Sequence, residues 1–97
     1  MSGYLVADVT AINDPGLYER YEPLVPLSLR AFNGTYLARG GDVTVLEGSW
    51  HPHRLVIVRF ESAAQAAAWW DSGQYRDARG MRQAATQTNM IVVEGTE

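Results

Sequence analysis

Hydrophobic and polar positions along this chain alternate with two different periods, and the switches between them outline the fold. Over Tyr4–Thr10, Leu5, Ala7 and Val9 alternate with Tyr4, Val6, Asp8 and Thr10. A period of two predicts a strand. Leu17, Tyr21, Leu24, Ser28 and Phe32 then recur at helical spacing, opened by Asp14 as a cap and Pro15 at the first helical position. Pro23 and Pro26 fall inside this pattern, and an interior proline removes a hydrogen bond and crowds the preceding turn. The expectation is a kink or two short helices. Asn33-Gly34 ends the helical stretch, since both tolerate positive φ.

Thr35–Arg39 predicts a second strand, Val43–Glu47 a short further one, and Arg54–Phe60 a third main strand with Val56, Val58 and Phe60 on one face. Ser62-Ala63-Ala64-Gln65 is a capping box opening an alanine-rich helix that ends near Asp71. Ser72 caps another, carrying Tyr75, Ala78, Met81, Arg82 and Ala85. Asn89–Glu94 predicts the last strand. The order βαββαβ is that of the ferredoxin-like split βαβ fold, class α+β. Right-handed crossovers put the first and third main strands at the centre of an antiparallel sheet. Helices cover one face. The other carries Tyr4, Val6, Leu55, Ile57, Met90 and Val92 in this reading, an apolar patch that a second copy of the sheet would cover.

Size sharpens the same point. The 97 residues make one domain, 1–97, with no linker, and no cysteine is present to staple it. A homodimer would add core. Net charge is −3 and all eight basic residues are arginine without a basic cluster, which argues against a nucleic-acid partner. No lysine is available for Schiff-base chemistry. No apolar run reaches the ~20 residues of a membrane span, and Met1-Ser2-Gly3 does not open a signal peptide. The expected location is cytoplasmic, with no membrane association.

The stretches Asp14-Pro15 with Tyr18 and Tyr21, Asn33-Gly34, Arg39-Gly40-Gly41, Leu46-Glu47-Gly48 with Trp50, Arg54-Leu55-Val56, Phe60, and Asp71-Ser72 with Tyr75 and Arg82 resemble domain-of-unknown-function family 1330. That family is a branch of the dimeric α+β barrel superfamily. The resemblance spans almost the whole chain and implies a ferredoxin-like protomer whose sheet packs face to face with that of a second copy. It implies no activity. Other branches of the superfamily include cofactor-independent monooxygenases, lactone isomerases, haem enzymes and regulatory ligand-binding domains, so fold does not choose function. Gly73 stands where the family pattern carries proline, and the His-Pro-His in the loop is a second departure.

Candidate chemistry gathers where the late part of the first strand, the end of the second and the start of the third meet. Arg39 could grip a carboxylate or enolate-like oxygen through two parallel hydrogen bonds, or pair with Asp8, Asp42 or Glu47 to fix the loop. Asp8 is a candidate general base if buried, or a carboxylate neutralised by Arg39 or Arg59. Glu47 is a base or a loop anchor. Trp50 is a pocket wall or interface packing. His51 and His53 flank Pro52 without a third metal ligand, so neither metal nor haem is called for, and no cofactor is expected. Asn89 falls near the same end. Trp69 and Trp70 lie about 100° apart on a helix, so they cannot both point squarely into the core: one of them, with Trp70 the candidate, rims a cavity, or the pair is core with partial exposure. No nucleophile elbow, phosphate loop or dinucleotide fingerprint occurs.

The function expected from these residues is binding of a small organic acid or an oxygenated aromatic compound. An enzymatic form would be a cofactor-independent isomerase, lyase or monooxygenase. The alternative is a non-catalytic dimeric ligand-sensing or interaction module.

Overall fold

The computed structural model describes all 97 residues, Met1–Glu97. Eight elements follow one another: β1 (Gly3–Ile12), α1 (Pro15–Tyr21), α2 (Leu24–Arg30), β2 (Thr35–Arg39), β3 (Arg54–Phe60), α3 (Ala63–Trp70), α4 (Gly73–Ala85) and β4 (Thr86–Glu94). The strands form one antiparallel sheet in the order β2-β3-β1-β4, with β1 and β3 central. The helices lie on one face. This is the α+β, ferredoxin-like architecture that the pattern predicts.

Local chemistry explains the punctuation. Asp14 accepts a hydrogen bond from the Leu17 N–H at 3.1 Å, with Pro15 opening α1. The proline pair yields two short helices: Pro23 is the N-cap of α2 and Pro26 sits in its first turn, where N–H groups have no intrahelical acceptor. Asn33 takes φ 56° at the end of this unit. Ser62 caps α3 through the Gln65 N–H at 3.0 Å. Ser72 caps α4 through the Tyr75 N–H at 3.2 Å while donating to the Trp69 carbonyl at 2.7 Å.

The core fills the space between helices and sheet. Leu5, Ala7 and Val9 of β1 and Val58 and Phe60 of β3 meet Val25, Leu29, Ala66, Trp69 and Tyr75, all buried. Trp69 stacks on Tyr75 at 3.9 Å between centroids, and Phe60 tilts against Trp69 at 5.8 Å.

Three expectations need correction. Val43–Glu47 is not a strand: Gly40–His53 is irregular throughout. β2 lies at one edge of the sheet, Gly40 turns the chain away from it at φ 66°, and the segment pairs with no strand. β4 begins at Thr86 rather than Asn89, because Thr86, Gln87 and Thr88 pair with Ile12, Ala11 and Val9. Finally, the register sets Asn89, Ile91 and Val93 opposite Asp8, Val6 and Tyr4. These three therefore share the uncovered face, while Met90 and Val92 point to the helices, the reverse of the facing expected for β4.

The uncovered face carries Tyr4, Val6, Leu55 and Ile57 at the centre, with Ile91 60% and Val93 49% exposed at one side. The Gly40–His53 loop adds Leu46, 93% exposed, and Trp50, 60% exposed.

Candidate ligand-binding site

The predicted site residues separate onto the two faces of the sheet. Asp8 lies on the uncovered face, 5% exposed, because its carboxylate is roofed by the loop after β2. The Trp50 indole Nε1–H donates to Asp8 Oδ2 at 2.8 Å, and the His53 backbone N–H donates to Oδ1 at 3.3 Å. Asp8, Asn89 and Trp50, with Val6 and Ile91, line a shallow depression of about 300 Å³. The side chains of His51 and His53 are exposed, and no three metal-binding side chains gather near them. Glu47 is exposed and makes no ion pair. Asp8 thus tethers a 14-residue loop across the sheet, and both its oxygens are engaged.

Arg39 lies on the opposite face, and a β-bulge puts it there. Tyr36 pairs with Val58 and Arg39 with Val56, with a register shift between Tyr36 and Ala38. In a regular strand, residues three apart point to opposite faces; one extra residue reverses the later one. Tyr36 and Arg39 consequently both face the helices, and the Arg39 guanidinium lies 4.6 Å above the Tyr36 ring. It forms no ion pair.

Beside it opens a chamber of about 40 Å³ between helices and sheet. Its polar lining comprises Tyr18, Tyr21, Tyr36, Arg39, Arg54 and Arg82, with Glu22 as the sole carboxylate. Arg54 Nη2 is paired with Glu22 Oε2 at 3.0 Å, and its Nε donates to the Tyr18 hydroxyl at 3.0 Å. Deeper in, the Tyr21 and Tyr75 hydroxyls share a hydrogen bond of 2.8 Å, and Arg82 Nε donates to the Tyr75 hydroxyl at 3.1 Å. Burial pushes the Tyr21 phenol well above its ordinary range, reinforced by Tyr75. Burial also raises Tyr36, opposed by the Arg39 guanidinium. Both remain neutral hydroxyls at physiological pH. Three guanidiniums against one carboxylate make the chamber cationic inside a chain of net charge −3, so it favours an anion.

A family model described as "Domain of unknown function (DUF1330)" matches residues 2–96. The chain belongs to the DUF1330 family. Solved structures share the fold of this DUF1330 member at low identity. A protein of unknown function from Rhodopseudomonas palustris superposes with a TM-score of 0.77 at 18% identity, over 99% of this chain and 83% of that one. A dimeric ferredoxin-like protein of unknown function from Thermobifida fusca gives 0.67 at 16% identity, over 98% and 92%. A Nitrosomonas europaea protein provisionally described as an antibiotic biosynthesis monooxygenase gives 0.54 at 12%, over 98% and 89%. No functionally curated protein matches the sequence. No helix of this DUF1330 chain is long and apolar enough to cross a membrane.

Sequence reasoning missed Tyr18, Tyr36, Arg54 and Arg82 as chamber residues. One signal was available: Tyr75, Ala78, Arg82 and Ala85 form the buried stripe of α4, and a charge on an apolar stripe calls for a partner. Trp70 is 38% exposed and lines a cleft, while Trp69 is core.

Proposed function

We propose that the protein acts as a homodimer closed through the uncovered sheet face, each protomer binding a small organic acid or oxygenated compound in the arginine- and tyrosine-lined chamber. The observation that carries this reading is Arg39. The bulge turns it to the chamber side, where it stands exposed at the rim, and no carboxylate of the protein pairs with it. Arg54, by contrast, is already paired with Glu22. Arg39 is the unpaired bidentate donor for an incoming carboxylate, and Tyr36 and Tyr18 offer hydroxyls alongside. At about 40 Å³ the chamber has room for no more than the carboxylate end of a very small acid. Asp8, Trp50 and the backbone of His53 have a positioning role in this account, holding the loop that flanks the dimer face.

As an enzyme, the protein would carry out proton transfer, as in an isomerase or lyase, or cofactor-independent oxygenation, with Arg39 stabilising a developing oxyanion. The description of the Nitrosomonas europaea protein agrees with the last of these at the level of fold alone. A second reading, a dimeric ligand-sensing module, is favoured by one observation. The chamber's only carboxylate, Glu22, is committed to Arg54, and no imidazole lines the chamber.

Thermal unfolding in the presence of glycolate tests the site. The wild type is expected to gain stability with glycolate concentration, and Arg39→Ala to lose that gain while keeping the apo melting temperature and assembly state. An Arg39→Ala protein that still responds to glycolate contradicts the reading; one that no longer folds assigns Arg39 to structure.

A further inference from the structure

Arg82 is 6% exposed, yet no carboxylate pairs with it. Its Nε is used by the Tyr75 hydroxyl, and its two Nη nitrogens have no protein acceptor. No fully buried side-chain nitrogen or oxygen in the molecule lacks a partner, so these Nη groups must border open space. Arg82 borders two such spaces, the chamber at Arg39 and a cleft of about 520 Å³ between α3, α4 and the free edge strand β4. Arginine cannot shed its charge at physiological pH, and a buried guanidinium without a counter-charge is costly. The dipole of α4 favours a cation in its last turn, but no carbonyl accepts from the Nη groups.

The rest of the cleft indicates the ligand. Trp70 of α3 contributes a partly exposed indole, with the Arg79 guanidinium 4.4 Å over one face, and Met90 and Val92 of β4 contribute an apolar floor. Thr88 and Gln83 add neutral polar groups at its side. A volume of about 520 Å³ suits a whole small molecule, with an apolar body and a few polar fixing points. The chamber at Arg39 is far smaller. Arg82 borders both spaces, but the cleft opens on the β4 side of the protomer, away from β2.

We infer that this cleft is a second ligand site, in which Arg82 grips the carboxylate of an aromatic acid whose ring packs beside Trp70. Its occupant supplies the counter-charge that the fold omits. The cleft shares Arg82 with the chamber but not Arg39, so a change at Arg39 tells the two sites apart.

The test uses benzoate as probe and benzamide as its neutral isostere, read by melting temperature and by the Trp70 indole N–H resonance in the intact protein. Benzoate is expected to raise the melting temperature by several degrees at millimolar concentration and to shift the Trp70 resonance; benzamide is expected to do neither. Arg82→Ala removes a hydrogen bond to Tyr75 and can fail to fold. Thr88→Glu avoids this by adding a carboxylate within the cleft. It is expected to raise the melting temperature of the free protein and to abolish the benzoate response, whereas Arg39→Ala preserves that response. Equal effects of benzoate and benzamide, no response to benzoate, or a full response in Thr88→Glu would overturn the assignment.

Discussion

Arg82, buried, and Arg39, exposed at the chamber rim, both lack a carboxylate partner, and the tyrosines between them set the hydrogen-bonding character of the proposed site. Tyr21 is the most perturbed of these. Its phenol is raised by burial and by the neighbouring Tyr75, so the folded state holds the neutral form where the unfolded chain ionises near pH 10. A group with a raised folded value contributes stability that is intact below the unfolded value and declines above it. Stability is therefore expected to be insensitive to Tyr21 up to about pH 10 and to fall beyond it. Monitoring phenolate absorbance and circular dichroism together checks this. Ionisation of Tyr21 should coincide with unfolding, and a Tyr21 phenolate in a still-folded protein would contradict it. At this scale the sequence was partly legible. Tyr18, Tyr21 and Tyr75 read as core, which Tyr18, Tyr21 and Tyr75 are, but periodicity reports which residues turn inward and not where a hydroxyl then points.

Among the elements, the join between β2 and the loop does most to shape the chamber. Gly40 has φ 66°, and a Cβ there would collide with the Arg54 guanidinium that holds Tyr18 and Glu22. Gly41 has open space around it. Gly40→Ala is expected to cost about 2 kcal/mol or more, from the left-handed backbone and the displaced arginine. Gly41→Ala should stay within about 0.5 kcal/mol. Urea denaturation of both variants makes the comparison, and equal costs would remove the special role given to Gly40. The glycine pair was legible as a turn beside a site. The bulge before it was not. It inserts one residue into a five-residue strand, and nothing in Thr35–Arg39 marks where pairing with β3 slips. That slip alone moves Arg39 away from Asp8, with which one end of the sheet would otherwise have grouped it. The segment Val43–Glu47 shows the converse: β-branched residues give strand propensity, but a strand needs an edge to pair with.

At the scale of the whole molecule, the protomer is a flat body of 33 × 30 × 17 Å with helices on one side only. Its bare sheet face carries Ile91 and Val93 exposed, with Leu46 and Trp50 beside them, the apolar surface that the proposed dimer would cover. The element order and the family were readable from the pattern and motifs, because both are carried by many residues at once. The chamber and cleft depend on single registers and rotamers. The account joins a dimer closed through the sheet to an acid site on the helix side of each protomer. A crystal structure of the protein grown with glycolate tests both parts together. The account predicts two chains packed through their sheets, with the glycolate carboxylate on the Arg39 guanidinium beside Tyr36. A monomer with a solvated sheet, or glycolate seated at Asp8 and Trp50 instead of Arg39, would contradict it.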